Sequence, residues 1–362
     1  MSGSLTVTQL SDLLQTTEFK LGSPKFSQII QKETFYEIGD RYVNRKTEDM
    51  HYGRGDRIKE FVQIKQGTNT VQEVDLFEDD SVTIPNTMDE LIVDWKHRTV
   101  PIAWERRELL MNKGKERLVD LIVTRRSNMM IHMIEKFEAE FFGAPLSSSN
   151  DKKIFGVPFW VLFNATNGFT GANPATHSGG AGGLDTDTYS NWKNYSRTYT
   201  NVTEDDLIDH MIITSDDIGF ESPISIQDAR VGRGKRQRFY TTQTVKRGLA
   251  KIGRNRNDNL GVEIAKFEGD MVFNRIPVKG LPILENATNW SLPVPAAPVY
   301  CLNMDTFYPV WLEGDYIKQS DIIRHPTKHN TLIQWYDCTY NMVCNNRRMN
   351  AVIATGAGNQ VT

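Results

Sequence analysis

Few residues of this chain have the types and the spacing that a reactive site requires. Gly248 and Gly253 have the glycine spacing of a phosphate-binding loop. However, Arg254 and Asn255 stand where that loop needs a lysine and a hydroxyl side chain, which bind phosphate and magnesium. The glycine-rich run 179–183 does not open a helix directly after a strand, as a dinucleotide site would require. We therefore expect no nucleotide site.

Histidines and carboxylates offer no better site. His325 and His329 are four residues apart, but Pro326 between them argues against a helical pair of metal ligands. The short acidic pairs, which are Asp185 with Asp187 and Asp216 with Asp217, are typical of solvated turns. No nucleophile can be matched with a base. The sequence therefore predicts no enzyme, no cofactor and no metal site.

The three cysteines, Cys301, Cys338 and Cys344, form no CxxC pair and make no plausible disulfide framework. Three cysteines without a disulfide framework fit a reducing compartment, and we expect their thiols to be buried.

One charge feature stands out between residues 230 and 256, where ten basic residues occur and no acid. They are Arg230, Arg233, Lys235, Arg236, Arg238, Lys246, Arg247, Lys251, Arg254 and Arg256. Because the whole chain has a net charge of −3, this basic block indicates a local contact rather than a uniformly basic coat. Two interpretations stay open. The block binds a nucleic-acid backbone, or it pairs with acidic residues of a neighbouring subunit.

The strongest element signal is a helix over residues 107–142. Apolar side chains recur there at spacings of three and four residues, at Leu118, Leu121, Ile122, Met129, Met133, Phe137 and Phe141. Charged residues fill most of the remaining surface, namely Glu116, Arg125, Arg126, Glu135, Glu138 and Glu140. A helix of about 30 residues spans roughly 45 Å, enough to cross a whole subunit. Gly143 and Pro145 end it. The alternative is a core helix of one large globular domain.

A long strand pair precedes this helix. Residues 57–66 and 70–77 are predicted as strands around the turn Gly67-Thr68-Asn69, and 91–100 alternates, with Trp95 on the apolar face and Lys96 on the polar face. Mixed charge on an exposed strand pair prevents indiscriminate pairing with other strands, and it suits a contact with one specific partner. The residues that we predict to contact another subunit are Phe61, Ile64, Leu76, Phe77, Glu78 and Asp79.

The rest of the chain is less strongly patterned. Residues 1–50 are predicted as an arm, and 144–203 as a mostly irregular crossing. A helix is expected from Glu204 with Thr203 as its cap, and strands are expected at 224–226, 237–245, 271–276 and 299–304 and as two runs within 331–354. Hydrophobic content of 39% and charged content of 24% are ordinary for a folded protein. We expect neither a signal peptide nor a membrane span.

Three features together resemble the major capsid proteins of tailed bacteriophages, which have the HK97-like fold. The first is the order of arm, extended hairpin and long helix over 1–142. The second is GGLDTDTYSNWKN, from Gly182 to Asn194, which is similar to a stretch that follows that helix in many such proteins. The third is the ending from Val299 onward, with the runs VYCLNMDTFYP and QWYDCTYNMVCNNRRMNAVIATG and an N-x-R-R turn.

The resemblance implies an α+β fold with five parts. These are an N-terminal arm (1–56), an extended loop that overlaps an adjacent subunit (57–100), a peripheral domain with the spine helix (101–150), a mostly axial, mixed α/β domain (151–330), and closing strands that return to the peripheral domain (331–362).

The function it implies is that of a shell protein whose hexamers and pentamers enclose double-stranded DNA without reading its sequence. A separate scaffolding protein and a portal are the implied partners, with assembly in the host cytoplasm. The alternatives are an encapsulin-like nanocompartment with the same fold and, from another class, a sequence-independent DNA-binding protein.

Overall fold

The computed structural model describes residues 30–44, 50–64, 87–111, 115–146, 152–177, 179–220, 237–256 and 271–356. The helices are α1 (Ile38–Val43), α2 (Arg106–Met111), α3 (Lys115–Phe141), α4 (Val157–Trp160), α5 (Asp209–Asp217), α6 (Gln243–Arg256) and α7 (Pro282–Glu285). The strands are β1 (His51–Gly53), β2 (Arg57–Gln63), β3 (Met88–Asp94), β4 (Lys96–Glu105), β5 (Gly168–Phe169), β6 (Tyr195–Thr198), β7 (Gln237–Thr242), β8 (Met271–Phe273), β9 (Ile276–Leu281), β10 (Val299–Asn303), β11 (Phe307–Leu312), β12 (Lys318–Gln319), β13 (Ile323–Arg324), β14 (Thr331–Cys344) and β15 (Ala351–Ala354). A π-helical turn, Glu204–Ile208, leads into α5, and two short 3₁₀ turns lie at Ser190–Trp192 and Arg347–Met349.

The first sheet is organised around β14, a strand of 14 residues. β14 pairs antiparallel with β11 along one part of its length and with β4 along another, from Thr331 opposite Glu105 to Tyr340 opposite Lys96. β1 extends this sheet by pairing in parallel with β11, and the short strands β12 and β13 also pair with β14. The sheet therefore joins segments from near both ends of the described chain.

The second sheet has the strand order β5-β6-β15-β10-β7-β9-β8. Two of its inner strands, β10 and β15, are buried at every position, as expected of a sheet that is covered on both sides. On β15, Val352 and Ala354 belong to one buried cluster, whereas Ala351 and Ile353 belong to a second one. The first cluster is shared with α3 and the first sheet, and the second is covered by α5 and α6. The second sheet thus lies between two cores.

Within the predicted helix 107–142 the structure describes two helices, α2 and α3, and residues 112–114 between them lie outside the described part. α3 has 27 residues, which corresponds to about 40 Å, and the predicted stripe from Ile122 to Phe141 is buried. The helix ends where predicted, and the amide of Gly143 donates to the carbonyl of Glu140. One part of the prediction is wrong. Three of the charged residues that were assigned to the helix surface, Glu135, Glu138 and Glu140, are buried because other segments pack over them.

Several boundaries also differ from the sequence prediction. The hairpin differs from the predicted strand pair, because β2 pairs with β3, and the strand predicted at 70–77 lies outside the described residues. The alternation over 91–100 is interrupted at Trp95, because β3 pairs in the hairpin whereas β4 pairs with β14. Lys96 is consequently buried, with Nζ 5.2 Å from the centre of the Phe155 ring. Thr203 makes no capping hydrogen bond with its side chain. The carboxylate of Asp206 instead accepts from the amides of Thr200 and Asn201.

The two closing strands occur as predicted, β14 in the first sheet and β15 in the second. In the part of the chain that the structure describes, no helix has both the length and the apolar character to cross a bilayer.

Candidate subunit interface

The hairpin of β2 and β3 has two unlike faces. Its inward face carries Ile58, Leu91 and Val93, which are buried against the body of the subunit. Its outward face carries Phe61, 72% exposed, and Met88, 56% exposed. Large apolar side chains with this exposure on a strand pair are typical of a surface that another molecule covers.

Ion pairs lie on the same outward face as these apolar side chains. Lys59 Nζ is 3.1 Å from Glu90 Oε1, and Arg57 Nε is 3.1 Å from Asp94 Oδ1. Both pairs link neighbouring strands, so they stabilise the hairpin and leave its surface with little net charge. Such a surface combines an apolar contact with a polar rim, the usual composition of a protein–protein interface.

The motif between Gly182 and Asn194 holds the base of the hairpin. The carbonyl of Gly182 accepts a hydrogen bond of 3.0 Å from the amide of Ile92 in β3. Gly182 has φ +71°, and a Cβ there would lie 2.1 Å from Cδ1 of Leu91, so only glycine fits. The hydroxyl of Tyr189 donates to the carboxylate of Asp89. These contacts give the motif a physical role, which is to fix the direction in which the hairpin leaves the body.

The end of the same motif holds a fully buried cation that the sequence did not single out. Arg347 Nε donates to the carbonyl of Trp160 at 2.7 Å, and Nη2 donates to the carbonyl of Ala172 and to Oδ1 of Asn194. Burial lowers the pKa of Arg347 to about 10. Arg347 lies between β14 and β15, so its hydrogen bonds fix the point where the chain passes from one sheet to the other. The N-x-R-R turn was the sequence signal for this position, but nothing in it indicated burial.

The segment 30–44 is bound to α3 by buried carboxylates. Glu138 Oε2 accepts from the amides of Ile38 at 2.6 Å and Gly39 at 2.9 Å, the first residues of α1. Glu135 Oε1 accepts from the hydroxyl of Tyr36 at 2.7 Å. Burial raises the pKa of Glu138 to about 7, because water is excluded from its carboxylate.

Glu140 and Glu33 complete this set of contacts. Glu140 accepts from the guanidinium of Arg98 and from the hydroxyl of Tyr340, which ties α3 to the first sheet. Glu33 accepts from the indole of Trp290 at 2.8 Å. No local pattern in the sequence identifies these partners, because each lies far away along the chain.

The structure describes only part of the predicted contact residues. Phe61 lies on the outward face of the hairpin, whereas Ile64 is buried in the core of its own subunit. Leu76, Phe77, Glu78 and Asp79 lie outside the described residues. Of this set, Phe61 is the side chain that the described structure leaves available to a neighbour.

The structure likewise describes only part of the basic block. Arg238 is mostly buried, and its Nη1 lies 3.9 Å from Oε1 of Glu37 in the same chain. Arg254 and Arg256 belong to the last turn of α6. Arg230, Arg233, Lys235 and Arg236 lie outside the described residues. The contact predicted for the block stays a prediction.

Several residues that the sequence analysis considered for a reactive or metal-binding site belong instead to regular structure, to a turn or to the core. Gly248 and Gly253 are both inside α6, although the sequence pattern predicts a strand up to residue 245. Nδ1 of His325 accepts from the amides of Thr327 and Lys328 and closes a turn. All three cysteines are buried, as predicted, and burial raises the pKa of each thiol.

Comparison with known proteins gives a result at the level of fold. No protein-family model matches the chain, and no curated protein matches it. The structure of the cyanophage A-1(L) capsid asymmetric unit matches with a TM-score of 0.65 and 12% identity, over 95% of this chain and 99% of that one. The capsid of Myoviridae phage XM1 matches with a TM-score of 0.52 and 10% identity, over 98% and 99%. The capsid of the native GTA particle matches with a TM-score of 0.51 and 9% identity, over 93% and 96%.

At these identities the likeness is one of fold, and it extends over nearly the full length of every chain compared. The α+β, HK97-like capsid fold that the resemblance predicted is confirmed.

Proposed function

We propose that this chain is a major capsid protein of a tailed bacteriophage, a structural protein without catalytic activity. Its subunits assemble into hexamers and pentamers of an icosahedral shell, which encloses double-stranded DNA. The observation that carries the proposal is the full-length likeness to the cyanophage A-1(L) capsid subunit, which covers 95% of this chain and 99% of that one. Neither chain has a large domain outside the match. This favours a common role for the two whole proteins over one domain that they happen to share.

The outward face of the hairpin supports the same role. Phe61 and Met88 are the two most exposed large apolar side chains of the hairpin, and both lie on its outward face. Weak contacts of this kind stabilise a closed shell, because each further contact of a bound subunit forms at high effective concentration.

We infer the domain boundaries of the chain from the resemblance. Residues 1–56 form the arm, 57–100 the extended loop, 101–150 the peripheral domain, 151–330 most of the axial domain, and 331–362 the closing strands. The presence of two cores, one shared with α3 and one beneath α5 and α6, supports a peripheral and an axial part. A separate scaffolding protein, a portal and assembly in the host cytoplasm belong to the same proposal.

Electron microscopy of the full-length protein tests the proposal. We expect closed particles of uniform size, formed by the chain alone or with a scaffolding protein. In particles isolated from the producing cells we expect double-stranded DNA that survives nuclease treatment. A protein cargo in place of DNA would favour the encapsulin-like alternative. A chain that stays monomeric under every assembly condition would contradict the proposal.

A further inference from the structure

Two helices with opposite charge cover the same face of the second sheet. The run from Glu204 to Asp217, which contains the π-helical turn and α5, has six carboxylates and no lysine or arginine. α6 has five lysine and arginine residues and no carboxylate. Leu207 and Met211 of the acidic run, and Val245 and Leu249 of α6, all enter the second core. The unlike surfaces of the two helices therefore point away from one common core.

The exposed surface of α5 has the composition of an interface. Asp209, Ile212, Ile213 and Asp216 follow one another at spacings of three, one and three residues, which places them on one side of the helix. All four are exposed, including Ile212 at 42% and Ile213 at 39%. Two adjacent exposed isoleucines between two carboxylates form a small apolar patch with a negative rim. We call these four residues the acidic stripe.

The exposed surface of α6 complements the acidic stripe. Thr244, Arg247 and Lys251 are exposed at spacings of three and four residues, so they also share one side of a helix. We call these three residues the basic stripe. The methylene chains of arginine and lysine readily cover apolar side chains while their charged ends reach carboxylates. Arg247 and Lys251 are thus suited both to the isoleucines and to the aspartates of the acidic stripe.

The charged residues of the two stripes form no ion pair within the described part of their own subunit, although the hydroxyl of Thr244 donates to the carboxylate of Glu285. Among the described residues, no salt bridge joins Asp209, Asp216, Arg247 or Lys251 to a side chain of opposite charge. This differs from the hairpin, where Lys59 is paired with Glu90. The charges of the two stripes therefore remain available to another molecule.

We propose that the acidic stripe of one subunit binds the basic stripe of the next, so that copies of this chain associate head to tail. A contact between unlike surfaces of identical subunits generates rings when the rotation between the subunits closes. This inference rests on the proposed function and identifies the side chains that join subunits within one ring. For α6 it favours the subunit-contact interpretation of the basic block. A nucleic acid would account for the cations, but it leaves the exposed isoleucines unexplained.

Charge exchange in the full-length protein tests the proposal. One variant carries D209K and D216K, a second carries R247D and K251D, and a third combines all four substitutions, which restores the net charge. We expect each double variant to need at least about tenfold more protein to assemble, equivalent to about 1.4 kcal/mol per contact. We expect the fourfold variant to recover assembly to within about threefold of the wild type, because the opposite charges meet again.

Several outcomes would overturn the proposal. One is a double variant that assembles like the wild type, and another is a folded fourfold variant that does not recover. A third is an R247D/K251D variant that assembles normally but loses affinity for a short DNA duplex, which would assign the basic stripe to nucleic acid. Circular dichroism checks folding. If a reversal prevents folding, the neutral variants D209N/D216N and R247Q/K251Q replace it, with weaker assembly expected from each and unchanged assembly contradicting the contact. A wild-type protein that forms no particles would instead contradict the proposed function.

Discussion

Glu138 shows what a single buried carboxylate does in this fold. Its Oε2 accepts from the first two amides of α1. A carboxylate in this position binds the amides most strongly when it is charged, but burial disfavours the charge. Burial dominates, and the pKa of Glu138 rises to about 7.

This raised pKa predicts how stability depends on pH. Because the native pKa of about 7 exceeds the ordinary value of 4.5, the native state retains a proton that the unfolded chain has already lost. The free energy of unfolding therefore falls as the pH rises from about 4.5 to about 7, by up to roughly 3–4 kcal/mol. The substitution E138Q removes this titration. We expect urea unfolding of the unassembled subunit to show a smaller loss of stability across that interval in the variant than in the wild type. Parallel losses in the two proteins would contradict the assignment.

The same residue marks a limit of sequence reasoning. Periodicity identified the buried stripe of α3 correctly, from Met129 to Phe141, because that pattern depends only on the helix itself. It placed Glu138 and Glu140 on the surface, because the partners that bury them, Ile38 and Tyr340, lie about 100 and 200 residues away. Burial of a charged residue depends on such distant partners and leaves no local signal.

At the scale of elements, α1 packs so closely on α3 that the contact admits no side chain. A Cβ on Gly39 would lie 2.2 Å from the carbonyl oxygen of Ile134. This oxygen belongs to the backbone, so no side-chain rotation can relieve the clash. The glycine and Glu138 therefore act together: the glycine permits the approach and the carboxylate binds the amides that the approach presents.

The substitution G39A tests this packing. We expect it to destabilise the subunit by about 1–3 kcal/mol, because the two backbones must move apart, and to expose 30–44 to hydrogen exchange and proteolysis. G253A in α6 is the matched control, since no atom lies within 4 Å of a Cβ there. In a helix that change is expected to stabilise by up to about 1 kcal/mol. Equal effects of the two substitutions would show that the contact with Ile134 is unimportant.

α6 illustrates why an element can be missed altogether. The β-rich sequence of β7 was expected to continue to residue 245, but a helix of 14 residues begins at Gln243. Gly248 lowers helix propensity, yet a Cβ there would approach Val202 to 2.7 Å, so the glycine serves the packing of the helix. Packing of Val245 and Leu249 into the second core outweighs the local preference.

At the scale of the whole molecule, the described subunit has one body and a hairpin whose outward face has no partner within it. The order of hairpin, long helix and closing strands could be predicted, because each has a strong periodic pattern. The direction of the hairpin could not, because it is set by Gly182 and Tyr189 of a segment that follows the helix. The subunit contact proposed for the hairpin therefore involves this distant motif as well as the hairpin itself.

The exposed phenylalanine of the hairpin provides the last test. Phe61 is 72% exposed in the subunit, so F61S removes little that stabilises the fold, and we expect the free energy of unfolding to change by less than about 1 kcal/mol. Covering such a side chain in a neighbour contact contributes about 1.5–3 kcal/mol, so the protein concentration needed for assembly is expected to rise at least about tenfold. Q63S is the matched control, because Gln63 lies on the same outward face of β2 and presents far less apolar surface. Assembly measured by light scattering and electron microscopy separates the two variants. If F61S assembles as readily as Q63S, the outward face of the hairpin is not a subunit contact.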